Sequence, residues 1–158
     1  MCIRDSYKNI SNLVITNGNS KNKTFCFLGH TDVVPPGPES EWTVPPFSGE
    51  IIDNKIYGRG AADMKGGVAC FISALKEFLS EYKDPSFNIM VLLNSNEEGK
   101  LENGKVDRVI NEMIDKDKFI DFCLIGEPSS SKKVGDVIRI GRRGSLSGLS
   151  LIHISEPT

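Results

Sequence analysis

Four places in this chain put an imidazole or a carboxylate at the end of an apolar run. They are His30 in Phe27-Leu28-Gly29-His30-Thr31-Asp32, Asp63 in Gly60-Ala61-Ala62-Asp63-Met64-Lys65, the Glu97-Glu98 pair after Val91-Leu92-Leu93-Asn94, and Glu127 in Leu124-Ile125-Gly126-Glu127-Pro128. Three of the runs read as buried strands, so their ends can converge at one edge of a sheet. One imidazole and several carboxylates at such an edge make a site for divalent cations, zinc foremost. That composition points to a hydrolase.

Each residue also has a plainer use. His30 follows a strand, with Asp32 two residues on and on the same face if the chain stays extended. A carboxylate beside one ring nitrogen would set the tautomer and sharpen the other as a ligand, or the pair is a half-buried histidine with a neighbouring cap. Asp63 precedes a helix and can serve as its N-cap or as a metal ligand. Glu97 and Glu98 leave a strand in different directions, so one can bind metal while the other acts as general base, or both are solvated loop residues. Glu127, between Gly126 and Pro128, is poorly placed for simple solvation and favours a ligand role. Arg142 and Arg143 between two glycines can fork a substrate carboxylate, or form an exposed basic turn.

The elements that must position these groups follow from periodicity. Asn12–Thr16 and Thr24–Leu28 read as strands joined by a hairpin-like connection rich in Asn and Gly. Residues 34–47 carry five prolines and read as an ordered loop crossing the site. Ile51–Tyr57 reads as a hairpin turning at Asp53-Asn54. Residues 65–82 predict a helix whose apolar face is Val68, Phe71, Ile72, Leu75, Phe78 and Leu79. Phe87–Asn94 is a nearly continuous apolar run, expected of a strand covered on both faces. A second helix is predicted over about 105–116, a buried strand over Phe122–Ile125, and an alternating strand over Lys133–Ile140. The order of strands and helices implies an α/β sheet with helical crossovers.

Bulk properties narrow the class. The net charge of −2 favours neither sign, so no nucleic-acid or membrane partner is expected. No apolar run approaches the roughly 20 residues of a membrane helix. The four cysteines lie far apart, and Cys26, Cys70 and Cys123 sit within apolar runs as buried thiols would; a reducing cytoplasm is the expected compartment. Residues 1–6 and 149–158 resemble translated sequencing-adapter read-through and are kept out of the fold expectation, leaving 7–148 as the native part. The alternative for 149–158 is a genuine strand, and His153 receives no chemical role.

Taken in series, five motifs resemble one family: Gly29-His30-Thr31-Asp32-Val33-Val34-Pro35, Gly58-Arg59-Gly60-Ala61-Ala62-Asp63-Met64-Lys65-Gly66, Glu97-Glu98-Gly99, Gly126-Glu127-Pro128-Ser129-Ser130 and Gly141-Arg142-Arg143-Gly144-Ser145. They resemble the dinuclear zinc peptidases and deacylases, in the branch of the succinyl-diaminopimelate desuccinylases, with acetylornithine deacetylases and carboxypeptidase G-type enzymes as relatives. The resemblance implies a zinc-peptidase catalytic domain, a mixed sheet with helices on both faces, truncated before the dimerisation domain. It implies two Zn2+, with Co2+ as an alternative. His30 and Glu127 would hold one ion, Asp63 would bridge, and Glu98 would hold the second. It further implies Glu97 as general acid/base, Asp32 as the residue orienting His30, and Arg142 as a substrate contact. The implied substrate is a small N-succinyl amino acid, cleaved to succinate and diaminopimelate in lysine and cell-wall precursor synthesis by a homodimeric full-length parent. A related N-acyl-amino-acid deacylase and a non-catalytic metal-binding remnant are the rival readings; retention of Glu97 argues against the second.

Two departures qualify the resemblance. Asn96 stands where the family usually has Asp, which alters hydrogen bonding around the site without removing a ligand. The family's last zinc ligand, a histidine far beyond this length, its dimerisation insert and a helix before Tyr7 lie outside these residues, so the 158-residue polypeptide by itself is expected to turn over little substrate.

Overall fold

The computed structural model describes residues 2–7, 10–18, 22–99, 106–115 and 119–141. The chain divides into two units, Met1–Pro128 and Ser129–Thr158. In the first, five strands make one sheet: β1 (Cys2–Tyr7), β2 (Ile10–Asn17), β3 (Thr24–His30), β6 (Asn88–Asn94) and β7 (Phe122–Ile125), in the order β1-β2-β6-β3-β7. The short strands β4 (Ile51–Ile52) and β5 (Lys55–Ile56) form a separate hairpin. Asp53 and Asn54 at its turn have φ of 49° and 61°. Two consecutive left-handed residues are what a tight hairpin matching the strand twist requires.

The sheet is mixed. β3 runs parallel to β6 on one side and to β7 on the other, whereas β2 runs antiparallel to both β1 and β6. Successive strands 2 and 3 therefore do not form the expected hairpin. β6 lies between them because its run from Ile89 to Leu92 is buried throughout and gains most from neighbours on both edges. Residues 2–6, left out of the fold expectation, form with Tyr7 the strand β1, which pairs with β2 and is outermost on that side among the described residues.

Alternation along the strands divides the core between two helices. Val14, Cys26, Met90 and Leu92 face α2 (Val106–Ile114), which contributes Val109 and Met113. Phe27 and Val91 face the other way and pack with Met64 and with Val68, Phe71 and Leu75 of α1 (Gly66–Glu81). Helices thus cover both faces. Ile72, expected on the apolar face of α1, is 41% exposed, because the seam of contact runs through positions 68, 71 and 75. The rings of Phe27 and Phe71 stack with centroids 4.0 Å apart. Truncation of Phe27, 2% exposed, to alanine is expected to cost about 3–5 kcal/mol. Urea unfolding of the variant checks this, and a loss below about 1 kcal/mol would contradict the packing of α1 on the sheet.

Two expectations for the C-terminal third are corrected. β7 is not buried: Phe122, Leu124 and Ile125 are 57%, 47% and 49% exposed, since β7 is the outermost strand on its side of the sheet among the described residues. An apolar groove of about 510 Å3 opens beside it, at the amino ends of the parallel strands, lined by five phenylalanines including Phe25 and Phe122. In the second unit, residues 133–140 do not form a strand. The carboxylate of Asp136 accepts hydrogen bonds from the backbone N–H groups of Ser131, Lys132 and Lys133, and Gly135 takes a φ of 80°. These local bonds fold the segment into a turn that competes with an extended strand, despite the alternating apolar residues.

Candidate metal centre

β3, β6 and β7 are mutually parallel, so their carboxyl ends emerge at one edge of the sheet. β3 delivers His30, β6 leads through Asn94 to Glu97 and Glu98, and β7 leads through Gly126 to Glu127. Such an edge is where open α/β sheets build their sites. Glycine is needed at the last of these exits. A Cβ on Gly126 would lie 2.5 Å from the Phe27 ring and 2.8 Å from Met64 Cε. Gly29 is similarly tight, its Cβ falling 2.9 Å from the same methyl.

His30 is 2% exposed and is the hub. Its Nδ1 lies 3.0 Å from the backbone carbonyl of Asp32, and its Nε2 lies 3.1 Å from Asp63 Oδ1 and 3.8 Å from Glu127 Oε1. A carbonyl can only accept, which places a proton on Nδ1 and, in the neutral ring, turns the lone pair of Nε2 towards the two carboxylates. Three acceptors then converge on one point. That arrangement is unfavourable empty and suits a cation. Without a metal, a proton can fill the place. Burial works against the charged ring, but the Asp32 carbonyl and the carboxylates of Asp63, Glu127 and Asp32 outweigh it and hold His30 above its ordinary pKa.

Asp63 resolves between its two uses. The turn Ala61–Lys65 leads into α1, yet the N-cap of α1 is Lys65 and no side chain caps it. Asp63 instead has extended backbone angles (φ −120°, ψ 102°) within that turn, and its carboxylate meets His30. Met64 beside it is 1% exposed, and its sulfur accepts the His30 backbone N–H at 3.3 Å. One side chain therefore anchors the start of α1 and the end of β3 together. Nothing in the pattern Asp-Met-Lys marked Met64 for this, although a lone apolar residue amid glycines and charges was the available signal.

Asp32 does more than its sequence position indicated. Its carboxylate sits 3.5 Å from His30 Nδ1, so the closer contact to the ring is its own carbonyl. The carboxylate oxygens also accept the backbone N–H groups of Glu97 at 3.1 Å and Glu98 at 2.9 Å. Asp32 thus ties the His30 loop to the loop carrying the glutamate pair. Behind that loop lie the buried Asn12, Asn94 and Asn96: the Asn94 amide donates to Asn12 Oδ1, and the Asn96 backbone N–H donates to Asn94 Oδ1 at 2.7 Å. Polar residues ending an otherwise apolar run were the signal for this network.

Among the described residues, two groups offer ligand atoms within 4.8 Å of one another: His30 with Asp63 and Glu127, and His30 with Glu97 and Glu98. The five residues expected as ligands or base are therefore gathered around one imidazole. Neither group joins Asp63 directly to Glu98. Arg142 and Arg143 lie outside the described residues. The Pro-rich loop is ordered, with Trp42 Nε1 donating to the Pro36 carbonyl at 2.9 Å and Arg59 Nη2 reaching the same oxygen at 3.3 Å.

Residues 26–155 match the sequence profile of peptidase family M20/M25/M40. The chain belongs to this family. Within the M20 family, it is 46% identical over 147 residues to succinyl-diaminopimelate desuccinylase of Alkalilimnicola ehrlichii, covering 93% of this chain and 39% of that protein. It is 49% identical over 141 residues to succinyl-diaminopimelate desuccinylase of Psychromonas ingrahamii, covering 89% and 37%. It thus spans well under half the length of these relatives. Among solved M20 structures, it superposes on the metallo-carboxypeptidase Sso-CP2 from Sulfolobus solfataricus with a TM-score of 0.62 and 29% identity, over 79% of this chain and 28% of that one. The superposition supports an M20-type mixed α/β architecture for this chain.

Proposed function

We propose that this chain supplies most of the metal centre and the general base of an amide hydrolase that cleaves N-succinyl-LL-2,6-diaminopimelate to succinate and LL-2,6-diaminopimelate. The observation that carries the reading is the convergence of His30 Nε2, Asp63 and Glu127 on one point, with Glu97 and Glu98 beside the same ring. The names and identity of the two desuccinylase relatives support the substrate class.

His30 and Glu127 would hold one divalent cation, Asp63 would bridge to a second, and Glu98 would bind the second. When bound, two zinc ions (or cobalt) would polarise the amide carbonyl and lower the pKa of an attacking water. Glu97 removes a proton from that water and returns it to the nitrogen of the departing amine. Asp32 keeps Glu97 in place by holding its backbone N–H, and its carbonyl keeps His30 in the ligating tautomer. Arg142 contacts a substrate carboxylate. The parent protein acts in the cytoplasm as a homodimer. No described helix is long and apolar enough to cross a membrane.

The test uses a protein of the relatives' length that contains this sequence, assayed for succinate release from N-succinyl-diaminopimelate and acetate release from N-acetylornithine. Zinc-dependent cleavage of the succinyl substrate, lost with a chelator and regained with zinc, is expected. Preference for the acetyl substrate would assign the related deacylase instead, and no metal-dependent cleavage of either would overturn the reading.

A further inference from the structure

Cys26 on β3 and Cys123 on β7 are direct partners in the parallel register of these two strands. Cys26 packs on the α2 face of the sheet, the parallel register puts Cys123 on that same face, and the Cys26 thiol donates a hydrogen bond to the Cys123 sulfur. Adjacent strands run about 4.8 Å apart, inside the range of Cα separations that a disulfide spans. Their exposures differ sharply. Cys26 is 0% exposed in the core, while Cys123 lies on β7, the outermost strand on its side among the described residues, and is exposed.

We propose that Cys26 and Cys123 form a peroxide-oxidisable dithiol, in which exposed Cys123 reacts first and buried Cys26 closes the disulfide. The division of labour follows from access: a small hydroperoxide in solution reaches Cys123, whereas Cys26 meets only its neighbour across the ladder. The hydrogen bond from Cys26 also holds the Cys123 thiol down at about 7, against the opposing effect of burial, and the Cys26 thiol is pushed up. A substantial fraction of Cys123 is then thiolate near neutral pH, the form that attacks peroxide.

In the first step the Cys123 sulfur attacks a peroxide oxygen and the O–O bond breaks. The departing hydroxide takes up the thiol proton as water, leaving a sulfenic acid. In the second step the Cys26 sulfur attacks the Cys123 sulfur, the S–S bond forms and the S–O bond breaks. The hydroxide released takes the Cys26 proton and leaves as water. Two thiols together lose two electrons and two protons, and hydrogen peroxide becomes two waters. Each cysteine lies four residues before a residue of the candidate metal centre, Cys26 before His30 and Cys123 before Glu127. The bond would staple together the two strands that deliver these ligands.

The experiment treats the reduced 158-residue chain, at low micromolar concentration, with hydrogen peroxide, followed by alkylation and peptide mapping. The expected product is a monomer about 2 Da lighter, in which denatured thiols fall from four to two and one dithiothreitol-sensitive peptide pair joins residues 26 and 123. In a Cys26→Ser variant, Cys123 is expected to stop at the sulfenic acid and be trapped by dimedone. Recovery of Cys123 as sulfinic acid with Cys26 still alkylatable after denaturation would overturn the proposal. So would a disulfide linking Cys123 of the peroxide-treated wild-type chain to Cys2, Cys70 or another molecule, a result readable even if the Cys26→Ser chain fails to fold.

Discussion

Glu97→Gln, placed in a protein of the relatives' length that carries this sequence, is expected to lower kcat for amide hydrolysis by about 10²–10⁴-fold while leaving metal content unchanged. The amide side chain keeps the size and the backbone position of Glu97, so the hydrogen bond from its N–H to Asp32 Oδ1 at 3.1 Å survives. What it loses is the capacity to take a proton. The companion change Glu98→Gln separates the two neighbours, because both lie within ligand distance of His30. That variant is expected to bind less metal. Measuring kcat and metal stoichiometry for the pair decides the assignment: if Glu97→Gln sheds metal and Glu98→Gln keeps it, the base and the ligand have been exchanged.

The second large effect is on metal binding by the 158-residue chain itself. His30 belongs to both groups of candidate ligands, so His30→Ala is expected to weaken zinc binding by more than about a hundredfold, beyond what loss of a supporting hydrogen bond costs. Calorimetric titration measures it, with circular dichroism to show that the sheet persists. The unmodified chain should also show a definite pH dependence. His30 is held above its ordinary pKa in the metal-free protein, so below that raised value zinc must displace a proton from Nε2. Affinity is therefore highest above the raised pKa and falls as pH decreases through it, by about tenfold per pH unit for one displaced proton. Zinc binding of equal strength in His30→Ala, or binding indifferent to pH over that window, would remove His30 from the centre.

Much of this site was legible in one dimension because its parts are local. Each candidate metal ligand ends or follows a strand or precedes a helix, and strand ends announce themselves where an apolar run stops at Gly29-His30 or Gly126-Glu127. The hairpin at Asp53-Asn54 was equally readable, since two residues tolerant of positive φ in succession demand a turn. Helix α1 was found from its period, but not which part of its apolar stripe would touch the sheet. Ile72 belongs to the stripe and faces outward, because the crossing of helix and sheet selects positions 68, 71 and 75. Lys133–Ile140 misled for the opposite reason: its alternation is genuine, but Asp136 supplies three short-range hydrogen bonds that no strand partner matches.

By itself, then, the order of residues determined most of the element types and the sheet edge at which imidazole and carboxylates would gather. Only the tertiary structure decided that β6 separates β2 from β3, that Asp63 turns to His30 instead of capping α1, and that the carboxylate of Asp32 holds the backbone of a loop 65 and 66 residues away. The physical reason is range. Periodicity and turn chemistry act over a few neighbouring residues, whereas strand order and the partner of a buried polar atom depend on which distant segments compete for the same surface.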